Sequence, residues 1–280
     1  MYARRNLTGS AWLWVGLLAF SAATAWAGDV ITKPAPVRGT DAKYQSLELF
    51  AGIESGKLEA KLIPRDAKKA RIFVTNKTGE SVNVRMPAVF AGQPMLAQFR
   101  LPNGPNGNTG ANQNSVPQTI GGRTNTNGGN NNNNFQPGGP MFNVPPEKTA
   151  EFRVDCVCLE YGKPNPRPVV TYQLLAADKV ANPETVAMLM EFEHGDYSQR
   201  AAQAAAWHLA NAMTWEKLKD IKGETTSLGV RASYFTRQEL DDAHKLVDAA
   251  RARLKEQPVK GQPANDRPPA VASPGTQAAR

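Results

Sequence analysis

The segment Thr149–Cys158, which reads TAEFRVDCVC, is the stretch that most directly indicates the fold. Apolar and polar residues alternate along it, and this period of two predicts a β-strand with one buried face. That face would carry both cysteines of the chain, Cys156 and Cys158. Residues two apart in a strand are about 6.6 Å apart, near the upper limit for a disulfide, so a bond between them would require a bulge. We therefore expect two buried thiols, or one buried and one reactive thiol.

The same period of two recurs on both sides of this segment. It predicts further strands at 57–63, 71–75, 81–86 and 169–175. Several alternating strands bury their apolar faces most simply in two packed layers. We therefore predict an α+β chain whose first module, residues 28–178, is a small antiparallel β-sandwich of immunoglobulin-like type.

Residues 103–140 interrupt this module with a different composition. Asn and Gly supply 21 of these 38 positions, and Arg123 is the only charged residue among them. Such a segment offers too little apolar surface to offset the entropy of ordering it. We predict a disordered Asn/Gly-rich insertion between two strands.

From residue 179 onward the pattern becomes helical. Asn182, Ser198 and Thr214 are each placed to cap the start of a helix, and Thr236 with Glu239 forms a capping box. These signals predict a helical module of about four helices at 179–257. Residues 258–280 are rich in Pro, Ala, Gln and charge, and we expect a disordered tail.

The first 27 residues have the organisation of a secretory signal peptide. Arg4 and Arg5 precede the uncharged apolar stretch 11–25, and the triplet 25–27 (Ala-Trp-Ala) suits signal peptidase. The apolar run is shorter than the ~20 residues that span a bilayer. We expect cleavage after Ala27, an exported mature protein in the periplasm, at the cell surface or secreted, and no membrane span after cleavage.

Charge and motifs argue against several classes of function. The net charge of +8 falls to +6 when Arg4 and Arg5 are removed, and the remaining basic residues are dispersed without interleaved aromatics. This distribution disfavours a nucleic-acid surface and leaves weak attraction to anionic envelope polymers. No nucleophile elbow, phosphate loop or dinucleotide fingerprint is present, and the three histidines have no metal-ligand spacing. We predict no catalytic residue, no metal, no cofactor and no enzymatic activity.

One pair of segments remains to be explained: residues 157–163 (VCLEYGK) and residues 202–209 (AQAAAWHL). From the residues alone, the second is an Ala-rich helix that lets a neighbour approach closely, anchored by Trp207 and followed by His208, whose usual place is a core or its rim. The two segments resemble those of a group of uncharacterised exported bacterial proteins. These proteins share a Cys-Leu-Glu-x-Gly-Lys segment and a Gln-Ala-Ala-Ala-Trp-His-Leu helix, and the resemblance implies export without implying an activity.

More distantly, the Gln-x-Ala-x-Trp pattern at Gln203, Ala205 and Trp207 is similar to half of a bacterial thioester domain. That resemblance implies a bond between the Cys158 sulfur and the Gln203 side chain, formed with loss of ammonia and open to attack by a surface amine. The pattern departs from the family at Val157, Ala202 and Ala206, and the Cys-to-Gln separation is short.

The sequence therefore supports two functions. The first is an exported, non-enzymatic envelope or surface protein that acts in binding or assembly with an unidentified protein or polymer. The alternative is a covalent adhesion module with a Cys158–Gln203 thioester, in which Trp207 and His208 support the junction.

Overall fold

A computed structural model of the chain describes residues 30–32, 34, 43–95, 116–124, 140–225, 229 and 231–256. The expected signal peptide, residues 1–27, and the expected tail, residues 258–280, lie outside these ranges. The described part contains a β-barrel, a small second sheet and a layer of helices.

Six antiparallel strands close into the barrel. Their order is β9-β4-β3-β10-β6-β7, and β7 returns to pair with β9. The strands are β3 (Leu58–Pro64), β4 (Lys69–Asn76), β6 (Val89–Pro94), β7 (Ile120–Arg123), β9 (Thr149–Cys158) and β10 (Tyr172–Leu175). The predicted immunoglobulin-like sandwich is therefore wrong, because the strands form one closed sheet and not two facing layers.

The length of β9 accounts for the closure. Along Thr149–Asp155 one edge of β9 pairs with β4, and along Asp155–Cys158 the opposite edge pairs with β7. A strand of ten residues can thus serve as both the first and the last member of the same sheet. Closure also removes the exposed sheet edges that a two-layer arrangement would leave.

Strand β7 corrects the expectation of a wholly disordered insertion. It lies within residues 103–140, and all four of its residues are buried. A Cβ atom at Gly122 would lie 2.5 Å from both the Asp155 carbonyl oxygen and the Phe90 ring, so glycine permits the close approach of β7 to its neighbours. The flanking residues 103–115 and 125–139 lie outside the described part of the chain.

The remaining strands flank the barrel. A short strand β1 (Val30–Ile31) pairs in parallel with the start of β9. A separate sheet has the order β2-β5-β8, built from β2 (Gln45–Glu48), β5 (Val82–Arg85) and β8 (Met141–Val144). Helix α1 (Leu49–Glu54) follows β2 directly.

The helical layer begins after the last barrel strand. It comprises α2 (Pro183–Glu193), α3 (Gln199–Asn211), α4 (Trp215–Asp220) and α5 (Arg237–Glu256), with a hairpin of β11 (Lys222–Thr225) and β12 (Arg231–Ser233) before α5. The predicted caps are confirmed: Asn182, Ser198 and Thr214 each accept a bond from the third residue beyond. Thr236 and Glu239 bond each other's main-chain N–H as a capping box. Within the described residues, no helix has the length and apolarity needed to cross a bilayer.

Two apolar clusters lie on opposite sides of β9. The first fills the barrel and includes Ile72, Phe90, Tyr172, Cys156 and Cys158. The second lies between the outer surface of the barrel and the helices, and Val157 contributes to it. The alternation read from the sequence is confirmed for the cysteine face, and the residue between the cysteines is buried as well because the helices cover its side of the strand.

Candidate functional site

Strand β9 extends beyond the end of its neighbour β4. The last main-chain bond between them runs from the Cys156 N–H to the Lys68 carbonyl, at 2.8 Å. The Lys68 N–H instead donates to the Asp66 carboxylate at 2.8 Å, which turns the chain away. The Cys156 carbonyl and both main-chain groups of Cys158 therefore need other partners, because unpaired buried polar groups are costly.

Helix α3 supplies those partners through two glutamines. Gln199 donates to the Cys156 carbonyl at 3.0 Å. Gln203 accepts from the Cys158 N–H and donates to the Cys158 carbonyl, both at 2.8 Å. Four residues of helix rise about 6 Å and two residues of strand about 6.6–6.8 Å. The two side chains are thus spaced to continue the ladder that β4 leaves unfinished.

Asn211, near the end of α3, repeats this interaction beyond the strand. Its side chain donates to the Leu159 carbonyl and accepts from the Tyr161 N–H, both at 2.8 Å. We call Gln199, Gln203 and Asn211 the amide row. Sequence reasoning identified Gln203 and missed the other two. Their available signal was a set of amide side chains on an alanine-rich helix.

The alanines of α3 let the amide row reach the strand. Ala202, Ala205 and Ala206 are fully buried, and Gln203 is only 3% exposed. A methyl side chain permits close approach of the helix backbone, and a larger residue would hold the carboxamides away from β9. The predicted role of these alanines in close packing is confirmed by this burial.

The two thiols lie away from the amide row, inside the barrel. The Cys158 sulfur lies 3.8 Å from the Ala67 carbonyl oxygen, with the thiol oriented to donate. Burial, assisted by the nearby Asp66, raises the pKa of Cys158 to about 12. Burial and the neighbouring Cys158 raise the pKa of Cys156 well above its ordinary value. Both groups are protonated at neutral pH, whereas a nucleophilic cysteine requires the thiolate.

The structure thus brings Cys158 and Gln203 together, but through the backbone of the cysteine. The carboxamide of Gln203 lies at the edge of β9, and both of its polar atoms are hydrogen-bonded. The sulfur belongs to the cluster in the barrel interior. To form a thioester, the sulfur would have to leave that cluster. The reaction would also remove the side-chain nitrogen of Gln203, and with it the hydrogen bond that this nitrogen donates to the Cys158 carbonyl.

The two supporting residues proposed from the sequence serve separate clusters. Trp207 is 8% exposed and contacts the rings of Tyr161, Tyr234 and Phe235 at centroid distances of 4.9, 5.8 and 5.8 Å. It therefore anchors α3 as expected, against the segment after β9 and the start of α5.

His208 belongs to a stack of three rings. It lies 4.2 Å from the Trp215 ring, whose other neighbour is His244 at 3.7 Å, and its Nδ1 lies 2.7 Å from the Met213 carbonyl oxygen. The stack joins α3, α4 and α5. Neither His208 nor Trp207 has a hydrogen bond to Cys158 among the contacts of the described residues.

The segment Cys158–Lys163 closes the barrel after β9. Glu160 accepts from the Thr119 N–H at 2.7 Å and from the Lys163 ammonium. Burial acts to raise the pKa of Glu160, but the hydrogen bonds from Lys163 and Thr119 hold it below its ordinary value. Gly162 has a φ of 89°, in the region that favours glycine. The Glu, Gly and Lys of this motif therefore form a turn that fastens β9 to the residue before β7.

A polar cleft of about 370 Å³ lies beside the amide row. It is lined by Lys68, Lys69, Arg123, Asp155 and residues 195–199. Arg123 is 7% exposed and donates to the Phe192 carbonyl at 2.7 Å and to Asp155 at 3.0 Å. Its guanidinium lies 4.1 Å from the Phe192 ring centroid, so it fastens β7 and β9 to the end of α2. The sequence signal for Arg123 was its position as the single charge in an uncharged segment.

The described ranges contain no cluster of metal-binding side chains. No group of three or more His, Cys, Asp or Glu side chains there is arranged to hold an ion. The comparisons add no relative: no family model, no curated protein and no solved structure matches this chain.

Proposed function

We propose that this chain is an exported protein of the cell envelope or surface that acts in binding or assembly, without catalysis. The observation that carries this proposal is that the side chains singled out as reactive or supporting residues have structural roles. Cys158 lies inside the barrel, Gln203 completes the edge of a strand, and Trp207 anchors a helix. The cleft beside Arg123 is one place where polar groups are open to a partner.

The signal sequence supports the export part of the proposal. Residues 1–27 have the basic, apolar and small-residue regions of a secretory signal. The resemblance to exported bacterial proteins points the same way. A protein with this fold would present a rigid barrel to its partner, since β9 is held by neighbouring strands and by α3.

Binding to isolated envelopes tests this proposal. The mature chain, residues 28–280, is labelled and titrated onto envelope and cytosolic fractions of the producing cells. We expect saturable binding to the envelope fraction, competed by unlabelled protein and absent after the labelled chain is heat-denatured. Retention of unprocessed protein in the cytoplasm, or equal unsaturable binding to both fractions, would contradict the proposal.

The second candidate remains a covalent adhesion module, and one observation favours it: Cys158 and Gln203 are in contact. In that reaction the Cys158 sulfur attacks the Gln203 side-chain carbonyl carbon and a carbon–sulfur bond forms. The carbon–nitrogen bond breaks, and the nitrogen takes up the proton lost by the thiol and leaves as ammonia. A surface amine would later displace the thiolate and form an amide. The raised pKa of the thiol and the engaged carboxamide make the binding function the better supported of the two.

A further inference from the structure

The outer face of β3, β4 and β9 carries two arginines directly opposite one another. Arg71 of β4 pairs in register with Arg153 of β9, and both side chains are exposed. The Cys156 N–H bonds to the carbonyl of Lys68, which is the residue opposite it. Opposite residues in antiparallel strands alternate between hydrogen-bonded and non-hydrogen-bonded pairs, so Arg71 and Arg153 form a non-hydrogen-bonded pair with Cα atoms about 4.5 Å apart. Like charges directly opposite each other destabilise a sheet. Glu151 lies within ion-pair distance of Arg153, and one carboxylate offsets only one of the two charges. An anion bound to the pair would offset the remaining repulsion.

The surroundings hold both guanidinium groups near this position. The Arg71 guanidinium lies 5.4 Å from the Phe73 ring centroid. Arg153 approaches Glu151 through Nε at 3.5 Å, and its side chain is 75% exposed. Among the described residues Arg71 forms no ion pair. The planar edge of each guanidinium retains donors for a ligand, since the group has five N–H bonds.

Two lysines extend the positive surface from the arginine pair to the cleft. Lys69 precedes Arg71 by two residues on the same face of β4, about 6.6 Å away, and Lys68 and Lys69 line the cleft. Lys69 is paired with Asp155 at 3.1 Å and remains 60% exposed. We call Lys68, Lys69, Arg71 and Arg153 the basic strip. Together with Arg123 of the cleft, these cations face four carboxylates, Glu151, Asp155, Asp66 and Asp196, which leaves a net charge of +1.

We propose that the basic strip binds the phosphate groups of an anionic envelope polymer. This proposal rests on the proposed binding function and names its partner class. Each guanidinium forms its best bond with two oxygens of one group. An internal phosphate of a polymer has two unesterified oxygens, as a carboxylate has, and binds one arginine in this way. Arg71 and Arg153 together therefore need two charged groups close to one another, as successive phosphates joined by one bridging oxygen are. The lysines, which act as point charges, then receive the next anionic group along the polymer.

The composition of this face argues against single-stranded nucleic acid as the occupant. Such ligands are held by successive aromatic rings on which bases stack. Phe73 is the one aromatic side chain pointing outward from the described parts of β3, β4 and β9, and it is half-buried beside Arg71. A polymer recognised by charge and phosphate geometry fits this arrangement better.

Binding of a fluorescent polyphosphate to the mature chain tests the proposal by anisotropy, between about 50 and 200 mM salt. We expect binding that weakens with salt. The double variant Arg71→Gln/Arg153→Gln should bind about tenfold or more weakly, with a flatter salt dependence, because two phosphate contacts are lost. The matched control Lys219→Gln/Lys255→Gln removes the same charge from exposed helical positions, and its affinity should change less than about threefold. Circular dichroism should show that all variants are folded.

Two further probes define the ligand class. Polyglutamate of equal length and single-stranded DNA should each bind more weakly than polyphosphate. Absence of polyphosphate binding, equal losses in both double variants, or equal or tighter binding of either competitor would overturn the proposal. Saturable envelope binding that persists while polyphosphate binding fails would refute only this inference. Loss of the envelope binding itself would refute the proposed function.

Discussion

Gln203 bonds to both main-chain groups of Cys158, accepting from the N–H and donating to the carbonyl at 2.8 Å each. A carboxamide presents an N–H donor and a carbonyl acceptor at the spacing of a peptide group, so it can take the place of a neighbouring strand. The relationship explains why an amide is buried among alanines without invoking a reaction. It also makes the side-chain nitrogen of Gln203 necessary for stability.

Gln203→Glu should destabilise the fold by about 2–4 kcal/mol at neutral pH. The change removes the donor to the Cys158 carbonyl and places a negative charge against it. A protonated acid can donate, so the pKa of the new group should be raised in the folded state. Stability should then be greatest in acid and fall as pH rises through that pKa.

Denaturant unfolding of the variant across pH measures this effect. Gln173→Glu, at an exposed position of β10, is the matched control and should change the unfolding free energy by less than about 0.5 kcal/mol. Equal effects at the two positions would contradict a specific interaction between Gln203 and Cys158.

Barrel closure through β7 predicts that Gly122 cannot accept a larger side chain. Gly122→Ala places a Cβ 2.5 Å from the Asp155 carbonyl oxygen and the Phe90 ring, and should cost about 1–3 kcal/mol. Gly79→Ala is the control, since nothing lies within 4 Å of its new Cβ. Thermal unfolding should separate the two variants. Similar melting temperatures would show that residues 120–123 do not pack in the barrel.

The buried thiols predict a loss of stability in alkali. Burial raises the pKa of Cys158 to about 12 and that of Cys156 well above its ordinary value. In the unfolded chain a thiol ionises near pH 8.5. Stability should therefore be unaffected by these groups below about pH 8.5 and should fall above it, by up to about 1.4 kcal/mol per pH unit for each thiol.

The double variant Cys156→Ala/Cys158→Ala should show a shallower decline of unfolding free energy between about pH 9 and 11. Some decline should persist, because burial also raises the pKa of Tyr172. Alkylation provides a second measurement: both cysteines should react with iodoacetamide after unfolding and much more slowly before it. Rapid stoichiometric labelling of the folded protein would contradict the burial of the thiols.

Trp207→Ala should destabilise the protein by about 3–5 kcal/mol, because the ring joins α3 to the segment after β9 and to the start of α5. Tyr161→Ala is the comparison, since Tyr161 touches the same ring but is 40% exposed and should cost less. Denaturant titration of both variants measures the difference. A change at Trp207 within about 0.5 kcal/mol would instead mark it as an accessible contact residue.

Short sequence patterns were sufficient to predict the strands and helix starts that depend on neighbouring residues alone. The alternation of 149–158 predicted β9, and side-chain caps predicted the starts of α2, α3, α4 and α5. Closure of the barrel was not predictable in this way. Strand β7 reads Ile-Gly-Gly-Arg, which has little intrinsic strand preference, and it forms because β6 and β9 bind it on either side.

The same distinction applies to the site. Period and composition were enough to place Cys158 on a buried strand and Gln203 on a close-packed helix that meets it. They did not reveal that the carboxamide would bond to the main chain. That outcome depends on where β4 ends, because only a strand edge left free at Cys156 and Cys158 needs the amides of α3.

The intact mass of the mature protein, taken before and after incubation with a small amine, tests most directly whether the contact of Cys158 with Gln203 is a hydrogen-bonded one. A hydrogen-bonded contact predicts the full calculated mass of the residues present, no change with the amine, and complete alkylation of Cys158 once the protein is unfolded. A mass lower by one ammonia, restored by addition of the amine and abolished in both Cys158→Ala and Gln203→Ala, would contradict it and establish the covalent alternative.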